Sequence, residues 1–276
     1  MTDKTREEDQ LIKEKLAPKQ FIKKPINGTK YTLLISNAKG GVGKSTFSIN
    51  IAFALQNLGL KIGILDADVY GPSLPKLMGL KEKAQSKDGK ALIPVEKYNA
   101  QCMSMGFLVE ETTPMIWRGP MVISALKTMT EKVLWKDLDV IIIDMPPGTG
   151  DTQLTFAQQI KVDGAIIVST PQDLALLDVR RGIEMFNKTG IKIIGLVDNM
   201  SFFKGDDKKI YNIFGEGGVE KTAEEYKKEF LGKIPIHQDL RNANDVGNPL
   251  THSNPSHEVS LIFKEIAEKI FKKEYK

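Results

Sequence analysis

The sequence predicts an α/β fold, a doubly wound and mainly parallel sheet with helices on both faces. Three observations predict it. Short, continuously apolar runs, suited to strands buried on both sides, alternate with longer segments of helical spacing. Two of those runs close on aspartate, at the strand ends where such sheets bind ligands. A glycine-rich turn joins the first run to the first helical segment.

In chain order, residues 1–29 read as a charged N-terminal arm, helical or disordered, that closes in Pro25-Ile26-Asn27-Gly28. Residues 30–276 read as one domain. The run 31–36 is the first strand, and 47–58 carries apolar residues at helical spacing without Gly or Pro. Strands follow at 61–66, 101–105, 140–144, 165–169 and 191–197. Helices are predicted around 120–133, 151–160 and 173–189.

Composition narrows the function. With 276 residues and 41% hydrophobic content, the chain can bury one large core. No apolar run is long enough to span a membrane, and residues 1–24 are too polar for a signal peptide. A single cysteine, Cys102, excludes an internal disulfide framework and fits a reducing cytoplasm. The net charge of +4 comes from two ends: residues 1–24 hold seven basic and five acidic side chains, and 264–276 hold five and three. The body is neutral, which argues against a broad nucleic-acid footprint.

The octapeptide Lys39-Gly40-Gly41-Val42-Gly43-Lys44-Ser45-Thr46 fits the phosphate-loop pattern if Ala38 stands for its first glycine. Its glycines let successive N–H groups point inward, and the helix that follows offers its positive end. Lys44 is expected to reach the β/γ-phosphates of ATP and the Ser45 hydroxyl to ligate Mg²⁺. Lys39 is either a solvated surface cation or a group that reaches the phosphates of a second subunit, where a cation supplied in trans stabilises the transferring phosphoryl group.

Two strands supply carboxylates. Asp144 closes an isoleucine-rich run ahead of Met145-Pro146-Pro147-Gly148-Thr149-Gly150-Asp151 and reads as the Walker B aspartate that holds Mg²⁺. Asp66 and Asp68, two apart, lie on one side of an extended chain. One is expected in the metal's water shell, and Asp68, further into the loop, orients the attacking water; alternatively both cap the following turn.

These segments, with Asn199-Met200-Ser201 and Ile213-Phe214-Gly215, together resemble the Mrp-type ATPases over about residues 30–260. Those belong to the MinD/ParA class with the deviant Walker A lysine, and their Mrp branch is associated with carrying iron–sulfur clusters to apoproteins. The resemblance implies a cytoplasmic homodimer, with Lys39 as the signature lysine and Asp68 as the switch carboxylate. It also implies that Asn199 contacts adenine and that 231–236, including Pro235, forms the base-side loop. Read physically, an amide matches adenine's N6/N7 edge, although Asn199 also suits a turn.

The resemblance further implies a C-x-x-C pair between the last two motifs, whose two copies in a dimer hold one [4Fe–4S] cluster. Here residues 202–212 contain no cysteine. Clusters are usually held by four thiolates. Cys102 lies in a strand-like run and reads as a small buried residue, and His237, His252 and His257 fall at loop-like spacings without a ligand partner. No iron–sulfur ligand is identified. Two functions therefore stand: an ATPase of cluster assembly or delivery that works with an apoprotein or assembly partner, or a MinD/ParA-like positioning ATPase that docks on a membrane or partner. The second draws on Val259, Ile262, Phe263, Ile266, Ile270 and Phe271 beside a lysine-rich end, which fit either an interfacial helix or a packed final helix.

Overall fold

The computed structural model describes residues 23–37, 39–108, 119–148 and 150–274. Most of the predicted arm, together with Ala38, Thr149 and Lys276, lies outside the described residues. In chain order the first half contains β1 (Thr29–Ser36), α1 (Lys44–Asn57), β2 (Ile62–Asp66), α2 (Leu74–Leu77), β3 (Gln85–Lys87), β4 (Ala91–Ile93), β5 (Val95–Lys97), β6 (Ala100–Ser104), α3 (Gly119–Glu131) and β7 (Leu138–Asp144). The second half contains α4 (Asp151–Gln159), β8 (Gly164–Ser169), α5 (Asp173–Thr189), β9 (Ile193–Lys204), β10 (Ile210–Tyr211), α6 (Gly218–Glu225), β11 (Phe230–Ile236), α7 (Gln238–Asp245), α8 (Leu250–Ser253) and α9 (Glu258–Glu274).

The main sheet runs β10-β9-β8-β1-β7-β2-β6-β5, with β11 also paired to β9. Its interior pairs are parallel, and only β5 and β10 run antiparallel to their neighbours. Leu33, Leu34 and Ile35 of β1 and Ile141, Ile142 and Ile143 of β7 are fully buried, because helices cover both faces; continuous apolar strands record that burial. From β1 the order departs both ways, toward β7 and β2 and toward β8 and β9. The ends of β1, β7 and β2 thus frame the crevice that doubly wound sheets use for ligands.

Helix α1 starts at Lys44, three residues ahead of the predicted 47, because Gly43 takes the N-cap position with φ 80°. From Phe47 to Leu55 every residue of the helix is buried, for it lies between the sheet and α9. Phe47 meets Phe263 with ring centroids 5.8 Å apart. Val259, Phe263, Ile266 and Ile270 of α9 are buried in the core. That overturns the interfacial-helix reading of 259–276: the stripe's main residues are packed inside the protein.

Other boundaries move for local reasons. Ile26 is buried in the core and the Lys24 N–H donates to the Gln159 carbonyl at 3.0 Å, so the last residues of the predicted arm are packed chain. Residues 231–236, read as a base-side loop, belong to strand β11, parallel to β9. Strand β9 runs on past the predicted end at 197 to Lys204, so Asn199 sits within it. The β3–β4 hairpin and β5 were not anticipated, since three-residue strands carry too little alternation to be read.

Candidate nucleotide site

Parallel register brings the acidic strand ends together. Asp144 pairs with Ile35 across one side and with Asp66 across the other, and Asp66 pairs with Ser104. Lys44, the first residue of α1, is buried, and its Nζ donates to Asp144 Oδ1 at 2.5 Å. Ser48, one helical turn on, lies 2.8 Å from the same oxygen and 3.0 Å from the Lys44 carbonyl. Sequence reading missed Ser48; its i+4 spacing from Lys44 was the available signal.

Asp66 is deeply engaged. Its Oδ1 accepts from the Asp68 N–H at 3.1 Å, and its Oδ2 accepts from Ser73 N–H (2.9 Å), Leu74 N–H (3.1 Å) and Ser104 Oγ (3.0 Å). Burial and then the charge of Asp144 push its carboxyl up to about 7, against these hydrogen bonds and Lys44. Asp66 therefore organises the 66–74 loop, with only Oδ1 lightly engaged for a metal's water. Asp68 caps the following turn, its Oδ1 accepting from the N–H of Tyr70 (3.3 Å) and Gly71 (3.2 Å), while no described residue engages Oδ2. Burial raises its carboxyl, opposed chiefly by Lys44.

Along the loop, Gly41 and Gly43 hold φ 84° and 80°, and Gly40 and Gly41 are exposed. Gly43 has a second requirement, because a Cβ there would lie 2.3 Å from Asn199 Nδ2. That nitrogen donates to the Val42 carbonyl at 2.7 Å, so β9 braces the loop. Thr46 Oγ1 accepts from Asn244 Nδ2 at 3.0 Å, whereas no described residue engages the Ser45 hydroxyl. The Lys39 carbonyl accepts from the Asn37 amide, but its half-buried ammonium has no partner among the described residues. Ser45, Asp66, Asp68 and Asp144 are hard oxygen donors, the set that Mg²⁺ prefers.

Beside the loop lies a cavity of about 340 Å³ whose lining includes Asn199, Met200, Phe214, Pro235, Leu240 and Asn244. It is mostly apolar with amides at its edge, as a base pocket should be. Because a carbonyl can only accept, Val42 fixes the Asn199 amide with nitrogen inward and leaves Oδ1 as its open acceptor.

The histidines are placed differently from expectation. His237 and His257 meet edge to face, centroids 4.9 Å apart, and with Asp239 form a group whose ligand atoms lie within 4.8 Å. Their loop-like spacing hid this because the two residues begin neighbouring helices. Each Nδ1 accepts a backbone N–H at its helix start, Asp239 for His237 (3.2 Å) and Val259 for His257 (3.1 Å). Each Nε2 then carries the proton and faces a carboxylate at the start of the other helix, Glu258 at 3.3 Å and Asp239 at 3.2 Å. A metal at Nε2 would force that proton onto the capping nitrogens, so the cluster is a reciprocal helix clasp. Cys102 is fully buried and its thiol is pushed up to about 12 by burial, which removes it as a cluster ligand. Residues 202–212 form the tail of β9 and β10, with Phe203, Ile210 and Tyr211 exposed.

Asp198, also missed, is 1% exposed, and neither of its carboxylate oxygens has a hydrogen-bond partner among the described residues. Burial pushes it up to about 7, opposed by Lys233. A folded-state value above the unfolded one means the folded chain keeps a proton that the unfolded chain releases. This group's stabilising contribution is present below about pH 4 and is lost as pH rises toward 7. Asp198→Asn is expected to raise Tm at pH 8 relative to the wild type and to give no comparable gain at pH 4; equal shifts in thermal melts at both values would refute this.

Sheet, glycine loop and paired strand-end carboxylates define a P-loop nucleoside triphosphatase. The chain belongs to the ParA group as a NUBPL iron-transfer P-loop NTPase, a family profile matched over residues 28–271. An Arabidopsis thaliana iron–sulfur protein required for NADH dehydrogenase, mitochondrial, is 47% identical over 90% of this chain and 80% of its own length. The mouse iron–sulfur cluster transfer protein NUBPL is 44% identical over 93% of this chain and 80% of its own. Among solved structures, the ADP complex of an Archaeoglobus fulgidus nucleotide-binding protein superposes with a TM-score of 0.71, at 37% identity over 80% of this chain and 88% of that one. Among the described residues no helix is long and apolar enough to cross a membrane.

Proposed function

We propose that the chain is an ATP-hydrolysing homodimer that serves iron–sulfur cluster assembly or transfer, with the cluster's thiolates supplied by a partner or apoprotein. The observation that carries the ATPase reading is the buried Lys44–Asp144 contact beneath the glycine loop. It holds the phosphate-binding cation and the metal-binding carboxylate together, each ready to exchange its partner for nucleotide. Backbone N–H groups of 40–46 and the start of α1 cradle the phosphates. Lys44 turns from Asp144 to the β/γ-phosphates, Asp68 orients the attacking water, and Lys39 from the second copy meets the phosphoryl charge. Mg²⁺, held by Ser45 and Asp144 with Asp66 behind them, would neutralise phosphate charge.

Asn199 Oδ1 accepts from an amino group and repels a carbonyl, which favours adenine over guanine. Competition binding is expected to show ATP preferred over GTP and Asn199→Ala reducing that preference about tenfold, the value of one buried hydrogen bond. Undiminished selectivity would remove Asn199 from base reading.

The relatives' names support the cargo, while residues 202–212 carry no ligand for it. Anaerobic reconstitution of the chain alone with iron and sulfide is expected to give no cluster chromophore, and addition of a cysteine-bearing apoprotein to give ATP-dependent cluster formation on that partner. A stable chromophore on the chain alone overturns the partner-thiolate reading. Phosphate release that is absent with Mg²⁺ and ATP overturns the ATPase. With 259–270 packed in the core, the membrane-docking reading has no support in this fold.

A further inference from the structure

We propose that Ser48 is a positioning residue for the Mg²⁺–nucleotide site, a switchable donor that holds Asp144 in place once Lys44 has left it. The inference rests on the nucleotide-site reading above. Ser48 is fully buried, and its hydroxyl has one proton facing two acceptors, the Lys44 carbonyl at 3.0 Å and Asp144 Oδ1 at 2.8 Å. With the Lys44 ammonium on that same oxygen at 2.5 Å, the carboxylate is already neutralised, and the hydroxyl can serve the helix carbonyl.

Departure of Lys44 changes the balance. Among the described residues no other side chain donates to Asp144, so a buried carboxylate would stand bare except for Ser48. A hydrogen bond to a charged oxygen is about twice as strong as one to a neutral carbonyl, so the hydroxyl rotates to donate to Asp144. The i+4 spacing matters here. The residue that holds the carboxylate lies on the same rigid helix as the lysine that releases it, and nucleotide capture therefore leaves the aim of Asp144 unchanged.

The test is a Mg²⁺ titration of fluorescent-ADP binding to the full chain, with thermal melts in parallel. Ser48→Ala is expected to keep Mg²⁺-free nucleotide affinity within about twofold and to raise the half-saturating Mg²⁺ concentration about tenfold, the equivalent of one charge-assisted hydrogen bond. Ser48→Thr, which keeps the hydroxyl, is expected to restore most of the Mg²⁺ response. Should the added methyl lower its melting temperature, Ser48→Cys supplies a near-isosteric weak donor with an intermediate Mg²⁺ requirement. An unchanged Mg²⁺ requirement in Ser48→Ala overturns the proposal, as does an equal loss of affinity with and without Mg²⁺, which marks a merely structural role. Failure of the nucleotide-site reading looks different: the wild type itself would bind nucleotide without regard to Mg²⁺, and the proposal would fall with it.

Discussion

Lys44→Ala is expected to abolish ATP turnover and also to destabilise the protein by about 3–5 kcal/mol, the cost of leaving a buried charge without its partner. The second effect follows from where the lysine sits. The Lys44 and Asp144 side chains are 5% and 4% exposed, and parallel register places Asp66, itself almost fully buried, beside Asp144. Removing the ammonium leaves two carboxylates side by side with Ser48 as the only described side-chain donor to Asp144. Urea unfolding read as a shift in midpoint at constant m-value measures the cost. The double variant Lys44→Met with Asp144→Leu should regain most of the lost stability and none of the turnover, because two packed apolar side chains need no partner. A single variant as stable as the wild type would show that the pair contributes nothing before nucleotide arrives.

Much of this site was legible because its parts are local. A strand, a glycine turn and a helix start are consecutive in sequence, and an apolar strand that ends in Asp144 announces both its burial and its chemistry. What escaped depends on which strands become neighbours. Nothing in residues 65–68 says that Asp66 lies beside Asp144 and receives Ser104, since that follows from the order β7-β2-β6. The His237–His257 clasp was hidden for the same reason, with residues 238–256 and helices α7 and α8 between its halves. Pattern was also ambiguous for α9, whose apolar stripe serves a core or a membrane equally well on paper; contact with α1 and β11 decides for the core. The family resemblance assigns residues 231–236 to a loop, and they contain a glycine and a proline, which are unusual inside a strand. β11 tolerates both, with Gly232 at φ 158° and register shifts on either side.

Lys39→Ala is expected to lower turnover about 10³-fold or more while leaving ATP affinity nearly unchanged. Within one chain the Lys39 ammonium contacts no described group, and Lys44 already supplies the cation at the carboxylates. A large effect on turnover is expected from a second copy that presents Lys39 to the first copy's phosphates. Mixing variants tests that requirement directly. A Lys44→Ala subunit cannot complete its own site but keeps Lys39, and a Lys39→Ala subunit keeps an intact site but cannot assist its partner. Each is expected to be inactive alone, and the mixture to recover turnover at the one site that receives both lysines. ATP-dependent dimerisation, followed by light scattering, should weaken in Lys39→Ala, since one charge contact across each site is gone. If the mixture stays inactive although mixed dimers form, Lys39 acts within its own subunit; if Lys39→Ala hydrolyses ATP at the wild-type rate, it has no part in the reaction.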